Sequence, residues 1–183
     1  MKSQKTRFET ELRQNYNEDM SNILVRFKWF RKKLFYRWII KKYFEDCSNI
    51  LDVGAGNGEF VRIAKELGKD CIGIDINNSR AENPLIKHMD FRDVNFQVDG
   101  VFSMMLLEHI DCFEFMEVMS RICKKRLVTV TYYPVRSFWQ SPDHVRPYLP
   151  ITLKRLYKAY GFKPIFARRI SYTTVMAVGD KIY

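Results

Sequence analysis

Strands that alternate with helical segments predict an α/β protein with a mostly parallel sheet covered on both faces. Three observations carry this expectation. Short apolar runs of strand length recur at 49–53, 71–75, 85–89, 98–105 and 126–133. Several of the segments between them place apolar residues at steps of three and four. The last two runs, near 163–169 and 173–179, have only a turn around Ile170 and Ser171 between them. A parallel pair needs a long crossover, so these two must pair antiparallel.

Each element has its own signal. Residues 1–20 are polar and mixed in charge and read as a helix or a loose arm. Residues 21–44, SNILVRFKWFRKKLFYRWIIKKYF, hold eight basic residues and no acidic one. Within them Phe27, Phe30, Leu34 and Trp38 recur as on one helix face. Asn49 to Val53 reads as a buried strand. Phe60, Ile63, Ala64 and Leu67 then share a helical stripe, and Gly68 suits its end. CIGID, LIKHM and VDGVFSMM supply three further strands. Phe115, Met119 and Ile122 mark a helix, and Lys124, Lys125 and Arg126 are expected at its end, where cations suit the dipole. Pro150 opens and Gly161 closes a last helix that carries Leu153, Leu156 and Tyr160.

The chain of 183 residues is long enough for one domain with a substantial core. Hydrophobic residues make up 46% and charged residues 28%, and no repeat or low-complexity tract interrupts them. A net charge of +10 favours an anionic partner or acceptor. The four cysteines form no CxxC pair, so no metal site is expected from them, and a reducing, cytoplasmic setting is. The first residues carry no signal-peptide pattern, and no apolar run has membrane-spanning length.

The stretch ILDVGAGNGEF (50–60) carries the chemistry. A strand, a glycine turn and a helix start present backbone N–H groups and a helix dipole to a ligand. Gly54, Gly56 and Gly58 are spaced GxGxG, not the GxGxxG of dinucleotide sites. Asp52, directly before the loop, would repel a pyrophosphate but suits an amino group. Asp75 ends the second strand and can accept both hydroxyls of a ribose. Asp90 ends the third and can accept from an adenine amine, with Phe91 beside it for packing. A ligand with an amine, a carboxylate, a ribose and an adenine is S-adenosylmethionine.

DVGAGNG, GIDIN, MDF and VFSMMLLEHI resemble, in that order, the successive motifs of class I S-adenosylmethionine-dependent methyltransferases. SPDHVRPYLPITLKRLYKAYGF (141–162) resembles the late substrate-side segment of small members of that superfamily. The resemblance covers about residues 48–180. It implies a three-layer Rossmann-like sandwich, with a seven-stranded sheet in the order 3-2-1-4-5-7-6 and the last-numbered strand antiparallel. It divides the chain into an N-terminal helical extension or lid (1–47) and a cofactor-binding domain (48–183). It implies S-adenosyl-L-methionine as cofactor and S-adenosyl-L-homocysteine as product. Asp52, Gly54, Gly56 and Gly58 would surround the methionine part, Asp75 the ribose, and Ile76, Asp90 and Phe91 the adenine. Ser103 and Met104 would line the sulfonium side. One departure stands out: only INNSRAENP separates the second and third strands, where the family often has a helix.

A methyl acceptor that must lose a proton needs a base, and histidine suits neutral pH. His109, just past the fourth strand, reads as a base or substrate contact, or as a loop-fixing side chain. His144, in SPDHVRPY, reads as a base or substrate contact with Arg146 and Tyr148, or as loop packing. His88 reads as structural. Tyr132 and Tyr133 are expected to border the acceptor. Glu108 reads as a cap for the next turn or as a substrate contact, the former favoured. No Asn/Asp-Pro-Pro-aromatic motif follows the fourth strand. In this superfamily that motif goes with methylation of exocyclic nitrogens, so its absence leans toward oxygen or carbon acceptors. The resulting expectation is methyl transfer to oxygen of a small molecule, glycan or lipid-linked precursor, the glycan resting on the DHVRPY resemblance. The alternatives are an RNA or DNA methyltransferase and a catalytically idle cofactor-binding scaffold. The basic helix of 21–44 reads as a lid, a membrane-surface helix or a nucleic-acid grip.

Overall fold

A computed structural model describes residues 23–77 and 83–182. The arm of residues 1–20 and most of the short INNSRAENP crossover lie outside them. The described chain runs α1 (Ile23–Tyr43), β1 (Asn49–Val53), α2 (Glu59–Glu66), β2 (Asp70–Asp75), β3 (Ile86–His88), β4 (Val98–Met104), α3 (Cys112–Ile122), β5 (Cys123–Tyr132), α4 (Pro150–Ala159), β6 (Phe162–Arg169) and β7 (Thr174–Lys181). The seven strands form one sheet in the order β3-β2-β1-β4-β5-β7-β6. β1 to β5 pair parallel, and β7 lies antiparallel to both β5 and β6. This is the predicted sandwich. No helix among the described residues is long and apolar enough to cross a membrane.

Both sheet faces are covered. One core joins β1, β4 and β5 to α3 and α4 through Leu51, Val101, Phe115, Met119, Leu153 and Tyr157. The other packs α1 and α2 on the opposite face through Ile39, Ile40, Phe44, Phe60, Ile63 and Phe102. Phe60 stacks on Phe102 at 3.9 Å, and Tyr36 meets both rings edge-on. Burying each such side chain stabilises the fold by about 1.5–3 kcal/mol before ordering costs.

The predicted caps are in place. Gly68 follows α2 and Gly161 follows α4, both in the left-handed region that glycine tolerates. Pro150 stands in the first turn of α4. All four cysteines are free and buried.

One expectation needs correction, and spacing leaves a second point open. Lys124, Lys125 and Arg126 do not end α3, because β5 begins at Cys123 with no intervening loop. They lie at the start of β5 instead, where two of them make ion pairs. Lys125 reaches Asp99 at 3.1 Å, and Arg126 bonds Asp180 at 2.7 Å and Asp46 at 3.1 Å. The second concerns α1. Phe30, Leu34 and Trp38 are exposed, and the buried face is Tyr36, Ile39, Ile40 and Tyr43. Both sets fit a helical period, so spacing alone does not choose between them. Ion pairs from Lys32 to Glu59 and from Lys33 and Arg37 to Glu66 tie α1 along α2 in its observed rotation.

Candidate active site

The site lies where the chain order reverses, at the carboxyl ends of β1 and β4, the usual ligand position in open α/β sheets. Gly54, Gly56 and Gly58 all have positive φ, which only glycine adopts without strain. The turn they make leaves a pocket of about 300 Å³ lined by Asp52, Gly54, Gly56, Glu59, Phe102, Met104 and Met105, with Lys32 and Tyr36 of α1 as its wall. Lys32 reaches Glu59 at 2.6 Å, and the Tyr36 hydroxyl donates to Met104 Sδ at 3.5 Å. Met105 has φ 57°, a left-handed conformation unusual for its side chain, at the point where β4 ends on the pocket.

The acids are poised differently. Asp52 is 3% exposed yet lines the pocket. Burial pushes its carboxyl up to about 8, with Asp75 adding to the shift and Lys32 opposing it. A buried carboxyl of this kind fits a ligand that brings a positive charge. Asp75 accepts from the backbone N–H of Gly56 and of Asn77, each at 2.9 Å, and so holds the glycine turn open. This acidic, glycine-turned cradle fits an amino-acid end and a ribose better than a pyrophosphate.

The remaining predicted positions divide. Ile76 is 67% exposed beside the second strand's end, available to a flat ligand surface. Asp90 caps the short turn after it and pairs with Arg92 at 2.7 Å. Phe91 turns into the core against Phe115, so it supports the turn from beneath. Strand alternation puts Phe102 and Met104 on the pocket. Ser103, between them, is buried with its hydroxyl unpartnered.

Beyond the end of β4, His109 and His144 come together, their rings 4.8 Å apart, with the Tyr132 ring 4.7 Å from His144. Glu108 is fully buried between them and β5; one oxygen accepts from the Thr131 hydroxyl at 2.6 Å and the other has no partner. Its carboxyl is raised by burial, against the Thr131 bond and the two imidazoles. Glu108 does not cap α3; Asp111 does, accepting from Phe113 and Glu114. Tyr133 packs under the Arg169 guanidinium. Arg146 lies against Cys112 and the Phe113 ring, and Tyr148 is 1% exposed with its hydroxyl on the Leu107 carbonyl. Arg146 and Tyr148 line a separate hollow between α3 and α4, not the glycine-loop pocket. Burial also pushes the thiols of Cys47 and Cys123 up to about 12, which leaves them unreactive.

Sequence reading missed Lys32, Tyr36, Phe102 and Met105. The first two reach the pocket only through the docking of α1, which no local pattern announces. The acidic cluster partner Glu108 was visible, but not that His144 would fold back onto it across 36 residues of chain.

Residues 29–165 match the family described as "Methyltransferase domain". Among curated proteins no sequence matches the chain. Solved structures share the fold. The 1,6-didemethyltoxoflavin-N1-methyltransferase of Burkholderia thailandensis, with bound 1,6-didemethyltoxoflavin and S-adenosylhomocysteine, superposes with a TM-score of 0.69 at 13% identity, covering 97% of this chain and 90% of that one. The magnesium protoporphyrin IX methyltransferase of Synechocystis PCC 6803 with bound S-adenosylhomocysteine gives 0.67 at 13% identity, covering 87% of each chain. An S-adenosylmethionine-dependent methyltransferase of Archaeoglobus fulgidus gives 0.65 at 21% identity, covering 81% of this chain and 94% of that one. With its glycine loop, strand order and matched residues, the chain belongs to the methyltransferase domain family and is an S-adenosylmethionine-dependent methyltransferase.

Proposed function

We propose that the protein transfers the methyl group of S-adenosylmethionine to an oxygen of a small molecule, a glycan or a lipid-linked precursor. The observation that carries the oxygen reading is the Glu108, His109 and His144 cluster just past β4. A hydroxyl must lose its proton on methylation, and a buried carboxylate beside two imidazoles suits that task. The cofactor brings its methyl on a sulfonium, already a good leaving group, so most of the work left to the chain is positioning. Asp52 receives the ammonium, Asp75 the ribose, and Lys32 and Tyr36 close the pocket against water. A second, mostly apolar cavity of about 380 Å³, lined by Phe35, Val130 and Ile170, meets the first at Lys32 and Met104 and offers the acceptor a way in.

The test is methyl transfer from labelled S-adenosylmethionine to pools of hydroxylated small molecules and glycans. The expected product carries label that resists mild base, as an ether does. Label recovered on nitrogen would overturn the oxygen reading. A second reading, a nucleic-acid acceptor, draws on the exposed Phe30, Leu34 and Trp38 of a helix rich in Lys and Arg. It predicts nucleic-acid affinity that falls steeply with salt. Affinity that is absent at low salt removes it.

A further inference from the structure

We propose that Glu108, His109 and His144 form a binding site for a divalent transition-metal ion. One ligand atom from each of the three lies within 4.8 Å of the others. Two imidazoles and one carboxylate are the donor set of open sites that hold zinc, manganese or iron and keep positions for a substrate oxygen. Ligand atoms around a tetrahedral ion stand roughly 3.4 Å apart, given bonds of about 2.1 Å. Binding would draw the three closer by up to about 1.4 Å.

Three further observations point to a ligand. First, Glu108 is fully buried and one of its oxygens has no partner, a costly arrangement unless something cationic or protic meets it. The other oxygen, fixed by Thr131 at 2.6 Å, orients the carboxylate. Second, His144 Nδ1 lies 2.9 Å from the Phe138 carbonyl. A carbonyl only accepts, so Nδ1 carries the proton and Nε2 keeps its lone pair. Third, His109 Nδ1 faces the Asp143 carboxylate at 3.1 Å and the Asp143 carbonyl at 3.3 Å, both acceptors. It too is held as the tautomer with Nε2 available. Metal-bound histidines are usually oriented by such a bond from the other ring nitrogen to a carbonyl or carboxylate. His144 is further fixed among the rings of Tyr132, Phe138 and His109. Two oriented imidazoles and a half-satisfied buried carboxylate fit a cation site better than a loop clasp. The expectation of no metal rested on cysteine spacing, which does not address this set.

An ion here would hold the acceptor oxygen and lower its pKa, so that its proton leaves to solvent, and the three side chains would serve as ligands in place of the base role given above. That role rests on the oxygen reading above, whereas the binding site does not. The experiment is therefore binding first. Chelator-treated full-length protein is titrated with Zn²⁺ by calorimetry and with Mn²⁺ by electron paramagnetic resonance, beside Glu108→Gln and His144→Ala. Glu108→Gln keeps the shape and the Thr131 acceptor, and thermal melting checks that both variants fold. The expected result is one ion per wild-type chain, with affinity lowered more than about a hundredfold in both variants. That exceeds the ten- to hundredfold typical of groups that only orient ligands. No binding of either ion at 100-fold molar excess, or equal binding by wild type and folded variants, overturns the site. Stoichiometric binding with label transferred only to nitrogen would keep the site and discard the oxygen reading. Ether formation unaffected by chelation, without ion binding, would do the reverse.

Discussion

Two aspartates make opposite predictions with pH. Asp52, buried at the pocket, has a carboxyl raised to about 8. The folded protein then holds a proton that the unfolded chain releases near pH 4, so this group lowers stability as pH rises from about 4 to 8. Its ionised form is the one that suits the cofactor's ammonium, so affinity for S-adenosylmethionine should rise between pH 6 and 8, with proton release on binding below pH 8. Calorimetry in buffers of different ionisation enthalpy checks this, and Asp52→Asn should abolish the proton release. Asp99 lies on the other side of its usual range. Its carboxyl is lowered, first by the Ser48 N–H at 2.9 Å and then by Lys125. Its stabilisation is present above the ordinary carboxylate pKa and lost as pH falls through the lowered one. Acid unfolding followed by circular dichroism should be shallower in Asp99→Asn than in wild type below about pH 4.

At the scale of elements the docking of α1 decides the pocket, since it supplies Lys32 and Tyr36. Its far end is seated by Phe44, whose ring would meet a Cβ at Gly100 of β4 at 2.6 Å. Gly100→Ala should therefore cost about 1–3 kcal/mol by overpacking. Chemical denaturation measures the loss, and cofactor affinity should fall with it as α1 shifts. If stability drops while affinity holds, α1 does not shape the site. The sequence showed that residues 21–44 are helical and amphipathic but not which stripe faces inward. Aromatic residues lie on both stripes, and only the partner surface of Phe60, Phe102 and Phe44 selects Tyr36 over Trp38. The boundary between α3 and β5 was hidden for a similar reason. Cations after Ile122 suit a helix end and a strand start alike, and the acidic partners Asp99, Asp46 and Asp180 lie far away in sequence.

For the whole molecule, the sheet was the most legible part. β1, β2 and β3 end at or within two residues of a glycine or an acid, β5 stops just short of Pro134, and the C-terminal turn forced the one antiparallel strand. The glycine-loop pocket was legible too, because Asp52 and the glycines that line it follow a strand end whose place the topology dictates, and Asp75, which holds the Gly56 N–H, ends the next strand. The cluster of Glu108, His109 and His144 was not. His144 joins Glu108 and His109 through a loop held by Val145 N–H on the Glu108 carbonyl at 2.7 Å, a closure with no sequence signature. The central claim is that the glycine-loop pocket binds S-adenosylmethionine through its aspartates. Calorimetric titration of wild type and Asp75→Ala with S-adenosylmethionine tests it most directly. Asp75 would bond the ribose, and it also holds the Gly56 N–H, so its loss should weaken binding roughly ten- to a hundredfold, or about 1.5–3 kcal/mol. No wild-type binding at millimolar cofactor, or equal binding by a folded Asp75→Ala, would contradict the account.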